Sequence, residues 1–313
     1  MFKLHKDYFR NGRGYHFKTI LFSFLFSLVT WAALVALPFG TVVLGMVIAD
    51  DPQDGNSKIY VVISMIIGVI IAFIVCFLLI LFILSPLYCG IIQLYKNTDL
   101  GKQSKFRHLI TFFKKGNYGK TLKLTSLLLI IGVMIGFITS SIISPLFSIF
   151  NMSLYYFVPS YIDITEGSLI GHLLTIVMLI GISILCIPFY YLMIYLMNVV
   201  LVHVDQSSLP TLNKFSIAWK ITTKGPNSSW RLLFSNLLYF VIILVAITVF
   251  QIIIALPMQN SPTILSTILS FPSTLLMLFI LTILTYLISG SMINFYHQNK
   301  NAIYPTETPA TDE

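Results

Sequence analysis

The chain has 313 residues, of which 57% are hydrophobic and only 10% charged, with a formal net charge of +8. Soluble domains run at roughly 45–50% apolar and about 25% charged residues, so too little charge is present to cover a folded chain of this length with water-compatible surface. A soluble enzyme, a nucleic-acid binder and a disordered regulator are set aside on that ground, and the solvent that fits is a bilayer.

Residues 1–18 form a basic segment carrying Lys3, Lys6, Arg10, Arg13 and Lys18 ahead of a long apolar stretch. A secretory signal would show the same order, but its apolar region is about half as long and ends in a small-residue cleavage site, which is missing here. An uncleaved first transmembrane helix is the reading adopted.

The charges then divide the chain. Uncharged runs of 31, 37, 39, 38 and 68 residues separate Lys18 from Asp50, Lys58 from Lys96, Lys123 from Asp163, Glu166 from Asp205 and Arg231 from Lys300. Each exceeds the ~20 residues a helix needs to cross a hydrocarbon core. The last is long enough for two, and Pro257-Met-Gln-Asn-Ser-Pro262 supplies a turn within it. The fold class expected is therefore all-α and polytopic, with six transmembrane helices near 20–47, 61–84, 124–143, 172–197, 232–256 and 273–293 in a domain covering 19–299. A flexible cytoplasmic tail is expected at 300–313.

With six spans, 18 of the 19 lysines and arginines fall on one side and only Lys58 on the other. That side is cytoplasmic by the positive-inside rule, placing both termini inside. The opposite loops hold Asp50, Asp51, Asp54, Asp163 and Glu166.

Prolines divide runs longer than one crossing. Pro86 is expected to turn 87–95 along the cytoplasmic interface, and Pro145 to turn 146–156 along the outer one. Helix breaks at Pro145 and Pro188 around a substrate are the functional alternative.

Between the second and third spans, Phe106, Leu109, Ile110 and Phe113 fall at i, i+3, i+4 and i+7, which predicts an amphipathic helix over 105–116. Phe215, Ala218 and Trp219 recur in the same register over 214–225, and both segments read K-F, eight residues, K-G. Tyr8-Phe-Arg-Asn-Gly12 is a weaker third copy, so three similar units are a candidate repeat. Lys105, Arg107, Lys114, Lys115, Lys214, Lys220 and Lys224 are candidate contacts to anionic lipid headgroups or to a partner protein, including an ATPase subunit docked on such a helix.

Catalytic parts are sparse. The expected spans hold no Asp, Glu, Lys or Arg, which removes the usual intramembrane acid, base and proton relay. Glu166, Glu307 and Glu313 lie outside them, and Gly181-Ile-Ser183 with His172 is an incomplete serine-protease pattern. Cys76, Cys89 and Cys186 show no metal-ligand spacing. No cofactor, no metal and no enzyme activity are expected. Gln93, Asn198 and His203 form a candidate polar vestibule on the cytoplasmic side, while Asn236 and Gln251 are read as bonding neighbouring helices. His5, His16, His108 and His297 are read as ordinary surface residues.

Ser85-Pro-Leu-Tyr-Cys-Gly90, Phe112-Phe113-Lys114, Val202-His-Val-Asp205, Ala218-Trp219-Lys220 and Ser229-Trp-Arg-Leu-Leu233 together resemble the bacterial YciC-like membrane proteins. These are in turn similar to the membrane domain attached to some glycerophosphodiester phosphodiesterases. The resemblance covers about residues 80 to 245, carries no catalytic residue, and implies a six-helix bacterial membrane protein. The expected role is structural or accessory, acting through lipids or partners. The alternative is a permease subunit of an ATP-driven transporter for a hydrophobic or peptide substrate. A lipid-acting enzyme comes third.

Overall fold

The computed structural model describes residues 2–48, 57–157, 177, 181, 187–258 and 263–305. Ser183, His172, Cys186, Asp50, Asp51, Asp54, Asp163 and Glu166 fall outside the described residues.

Among the described residues the fold is helical, without strands. In chain order the helices are α1 (Lys3–Asn11), α2 (His16–Ile48), α3 (Ser57–Leu79), α4 (Ser85–Asp99), α5 (Tyr118–Phe157), α6 (Ile187–Asp205), α7 (Thr211–Lys224), α8 (Ser229–Met258) and α9 (Thr263–Ile303). The cause is the one read from composition: long runs of Leu, Ile, Phe and Val without charge satisfy their backbone groups internally only as helices.

Among the described residues, five stretches are long and apolar enough to cross a membrane: His16–Leu34, Ile66–Asp99, Tyr118–Ile142, Ile187–Asp205 and Leu275–Ile303. The expected fifth crossing coincides with α8, whose side chains are described mainly over Ser229–Ile243, short of a membrane thickness. Side chains such as Phe73, Phe137 and Val133 on α3 and α5 point outward and exposed, as lipid-facing surface does.

Prolines act differently from expectation. A single π-helical turn, Ile80–Leu84, joins α3 to α4. Pro86 has no N–H to give the carbonyl of Phe82, four residues back, and the Tyr118 hydroxyl donates to that carbonyl instead, at 3.1 Å. Ser85 donates both its N–H and its hydroxyl to Ile80, the latter at 2.6 Å. The segment beyond Pro86 does not lie along an interface. It is an interior helix, with Ile91, Ile92, Leu94 and Tyr95 all buried, because α4 is packed on by α2, α5, α6 and α9. Pro145 does not end its helix either: α5 runs through it to Phe157.

The core lies at the end of the bundle where the basic segments gather. Tyr8, Ile92, Leu94, Leu201, Ile221, Tyr286 and Tyr296 form one cluster, and Leu4, Ile194, Leu232 and Phe295 a second beside it. Residues 1–18, read as a basic segment, contain α1, whose Leu4, His5, Asp7 and Tyr8 are buried against this core. α9 continues to Ile303, which packs on the first cluster, and Tyr296 and Asn299 just before the expected tail are buried.

The two K-F…K-G segments fold differently. Residues 105–116 form two short 3-10 turns, Phe106–His108 and Thr111–Phe113, and bury Leu109 and Phe112. The three-residue spacing of those two fits 3-10 geometry, while Phe106, Ile110 and Phe113 of the expected apolar face are exposed. Residues 214–224, in contrast, are α-helical and bury Lys214, Ala218, Ile221 and Thr222, positions that share one face of a helix. Gly90 explains the close seat of the first segment, since a Cβ there would run into the Leu109 backbone.

Candidate functional site

Two helices end on a carboxylate. Asp99 closes α4 and Asp205 closes α6, where the helix dipole opposes negative charge. Each is accordingly surrounded by donors from elsewhere. Asp99 accepts from Asn294 at 2.8 Å and Asn11 at 3.3 Å, and pairs with the His297 ring at 2.5 Å. Asp205 pairs with Lys300 at 2.6 Å and with Lys96, and accepts from the Tyr296 hydroxyl at 2.8 Å. Both carboxylates are nearly closed off from solvent, and the last turns of α9 bridge them, joining the ends of α4 and α6.

A third group is centred on His203, fully buried on α6. Lys214 Nζ lies 2.8 Å from its Nδ1 and also donates to the Ser207 carbonyl at 3.3 Å. An ammonium only donates, so Nδ1 accepts and the ring proton sits on Nε2. Nε2–H then donates to Thr121 Oγ1 at 2.9 Å, and Thr121 passes its own proton to the Asn117 carbonyl at 2.9 Å. The chain runs from α7 through α6 to the start of α5. Burial and the nearby charge of Lys120 hold the Lys214 amine below its ordinary value of 10.5, with Cys89 acting in the other direction.

The expected vestibule residues are not brought together. Gln93 donates to Asn97 one turn on, and Asn97 contacts the His108 ring at 3.0 Å. Asn198 donates to Thr222 at 2.8 Å, and His203 belongs to the lysine chain. Three separate pairings replace one polar space, because Asn198 and His203 find partners on the helices packed against α6 while Gln93 is taken up within α4. Burial and the cations Arg107 and Lys105 lower the His108 pKa.

Of the candidate headgroup contacts, Lys105, Arg107, Lys114, Lys115, Lys220 and Lys224 are exposed. Lys214 is the correction: it is 1% exposed and faces His203 rather than a lipid surface, since it shares the inner face of α7 with Ala218 and Ile221. The exposed cations alternate with exposed Phe106, Ile110, Leu212 and Trp219.

Three histidines read as ordinary surface residues are built in. His16 contacts the Tyr286 hydroxyl at 2.5 Å, His297 pairs with Asp99, and His5 is 3% exposed, with its ring centroid 4.6 Å from that of Tyr239. Burial lowers the His5 pKa to about 4, partly offset by Asn236. Sequence reasoning missed Asp99, Thr121, Thr222, Asn294 and Tyr296. The one available signal was Asn294-Phe-Tyr-His-Gln-Asn-Lys300, a polar string where the last apolar run still continues. No group of three or more His, Cys, Asp or Glu residues is placed to hold a metal among the described residues.

No family model, curated protein or solved structure matches this chain.

Proposed function

We propose that this is a six-span protein of a bacterial cytoplasmic membrane, with both termini inside, that serves a non-enzymatic accessory role through lipid and partner contacts. The observation supporting it is the division of polar groups at the basic end. Asp99, Asp205, His203, Lys214 and Asn198 are consumed in bonds between helices, an arrangement that fixes helix ends and engages these five groups in holding the bundle together. The cations left over stand exposed beside aromatic and aliphatic side chains, the composition of a surface that sits on anionic headgroups. Each such cation contributes about 1 kcal/mol of attraction to an anionic leaflet.

Two measurements test this. Cysteines placed at 54 and 164 in a cysteine-free background should react with an impermeant reagent from outside the cell, and one replacing exposed Lys102 should not; the reverse pattern removes the topology. Purified protein in liposomes should move no solute unaided, and measured flux would remove the accessory role.

A second reading follows from α7, a helix packed on α6 and α9 with one flank exposed: docking of an ATPase subunit on a permease. It predicts an adjacent ATPase gene and ATP-dependent export, and lack of both eliminates it. Kinship with the YciC-like proteins is proposed on the residues quoted for it. Aligned members of that group should then carry Lys and Asp at the positions of Lys96 and Asp205, which pair here, and their absence would end the proposal.

A further inference from the structure

We infer that the hollow between α2 and α5 is a binding site for one acyl chain of a membrane phospholipid. The inference rests on the transmembrane reading above and goes beyond it by naming a seat and its occupant. The hollow measures about 480 Å³, inside the range of roughly 300–1,000 Å³ typical of small-ligand sites. Its walls include Phe26 and Leu34 on α2, Leu84 on the π turn, Leu124 and Leu128 on α5, and Val200 on α6. α2 packs along α3, and α5 packs on α4 and the π turn, while among the described residues no close packing joins α2 to α5. The hollow is the gap between them.

Its chemistry selects hydrocarbon. Polar groups in the wall are turned to other work: Ser85 donates to Ile80, and the Tyr88 hydroxyl to the Met197 sulfur at 3.6 Å. The buried Thr30 hydroxyl lacks a partner and Thr125 adds a second hydroxyl to the wall, but these stand among Leu, Ile, Val and Phe side chains, a lining that favours hydrocarbon over water. An empty apolar cavity is destabilising in proportion to its volume. A peptide would bring backbone donors and acceptors that nothing in this wall satisfies. The shoulders of the hollow carry exposed Leu25 and Val29 on α2 and Phe82 and Ile83 on the π turn, so the surface around it is lipid-facing and acyl chains are the solvent at hand.

Native mass spectrometry of the full-length protein, purified in detergent and washed, tests the proposal. One retained phospholipid is expected. Leu128→Trp, and the milder Leu124→Phe, fill the space and should reduce retention by about tenfold, whereas Ile130→Trp, on an exposed position of the same helix, should leave it unchanged. Thermal unfolding in the same detergent identifies any variant that fails to fold. An independent arm needs no mutation: the unaltered chain is reconstituted with a phospholipid carrying a diazirine on its acyl chain and irradiated. Crosslinks are expected at 26–34 and 124–129. Absence of retained lipid, equal retention in Leu128→Trp and Ile130→Trp, or crosslinks confined to outward residues such as Phe137 would overturn the site. A protein that needs detergent yet holds no lipid refutes only this inference, while one recovered in water without detergent refutes the membrane reading beneath it.

Discussion

Lys214 Nζ and His203 Nδ1 meet at 2.8 Å in a buried position where the amine's recorded bonds go to an imidazole and a carbonyl rather than to a carboxylate. An ammonium kept from water without an anion is disfavoured, and the Lys214 amine is accordingly held below 10.5. Between its folded value and 10.5 the unfolded chain binds more protons than the folded one, so stability should rise with pH through that window. Thermal unfolding in detergent from pH 7.5 to 9 should show this rise. Lys214→Met should flatten it, and a slope unchanged in that variant would show that another group is responsible.

His5 titrates with the same sign on the acid side. Held neutral to about pH 4 by burial, it takes up a proton in the unfolded chain near its ordinary 6.5 while the folded chain refuses one. Its contribution is complete above 6.5 and is lost as pH falls from 6.5 to about 4, by at most about 3 kcal/mol. Between pH 7 and 4.5 the unfolding temperature of His5→Phe should fall by less than that of the parent, and equal falls would show that His5 does not contribute.

Asp205 is the anion shared by Lys96, Lys300 and Tyr296. Replacing it with Asn leaves two cations facing each other in a confined space, and removing one partner of a buried pair costs about 3–5 kcal/mol. Lys300→Met should cost less, because Lys96 still balances the carboxylate. Equal losses in the two variants, measured by thermal unfolding, would contradict this account.

Gly90→Ala should destabilise by about 1–3 kcal/mol or more, since the added methyl meets the Leu109 backbone rather than a side chain that can swing away. Gly132→Ala, on a helix face with nothing within 4 Å, should be neutral or stabilising because alanine favours helix by up to about 1 kcal/mol. The pair distinguishes close packing from a general effect of losing glycine.

The resulting order of legibility has a physical origin. Apolar runs bounded by charges made the helices, and their approximate ends, visible from sequence, because in lipid a helix is decided by length and hydropathy within one segment. The 3-10 turns at 106–113 were not visible: the i, i+3, i+4, i+7 pattern favoured an α-helix, and the buried seat against Gly90 decided otherwise. The turn at Pro86 was anticipated as a bend and became a π turn completed by Tyr118, a residue 36 positions away from the carbonyl it serves.

The order of apolar and charged residues by itself determined that the chain forms long apolar helices suited to a bilayer, with its cations in the segments between them, since these follow from stretches of neighbouring residues. Tertiary structure alone decided which polar residues are surface and which are latches. Lys214 and Lys220 are the same residue type six positions apart on one helix, yet one is buried on His203 and the other is exposed. Asp99 and His297 are 198 positions apart and touch. Such pairings depend on which faces of separate helices meet, and no local pattern of charge or hydropathy encodes that.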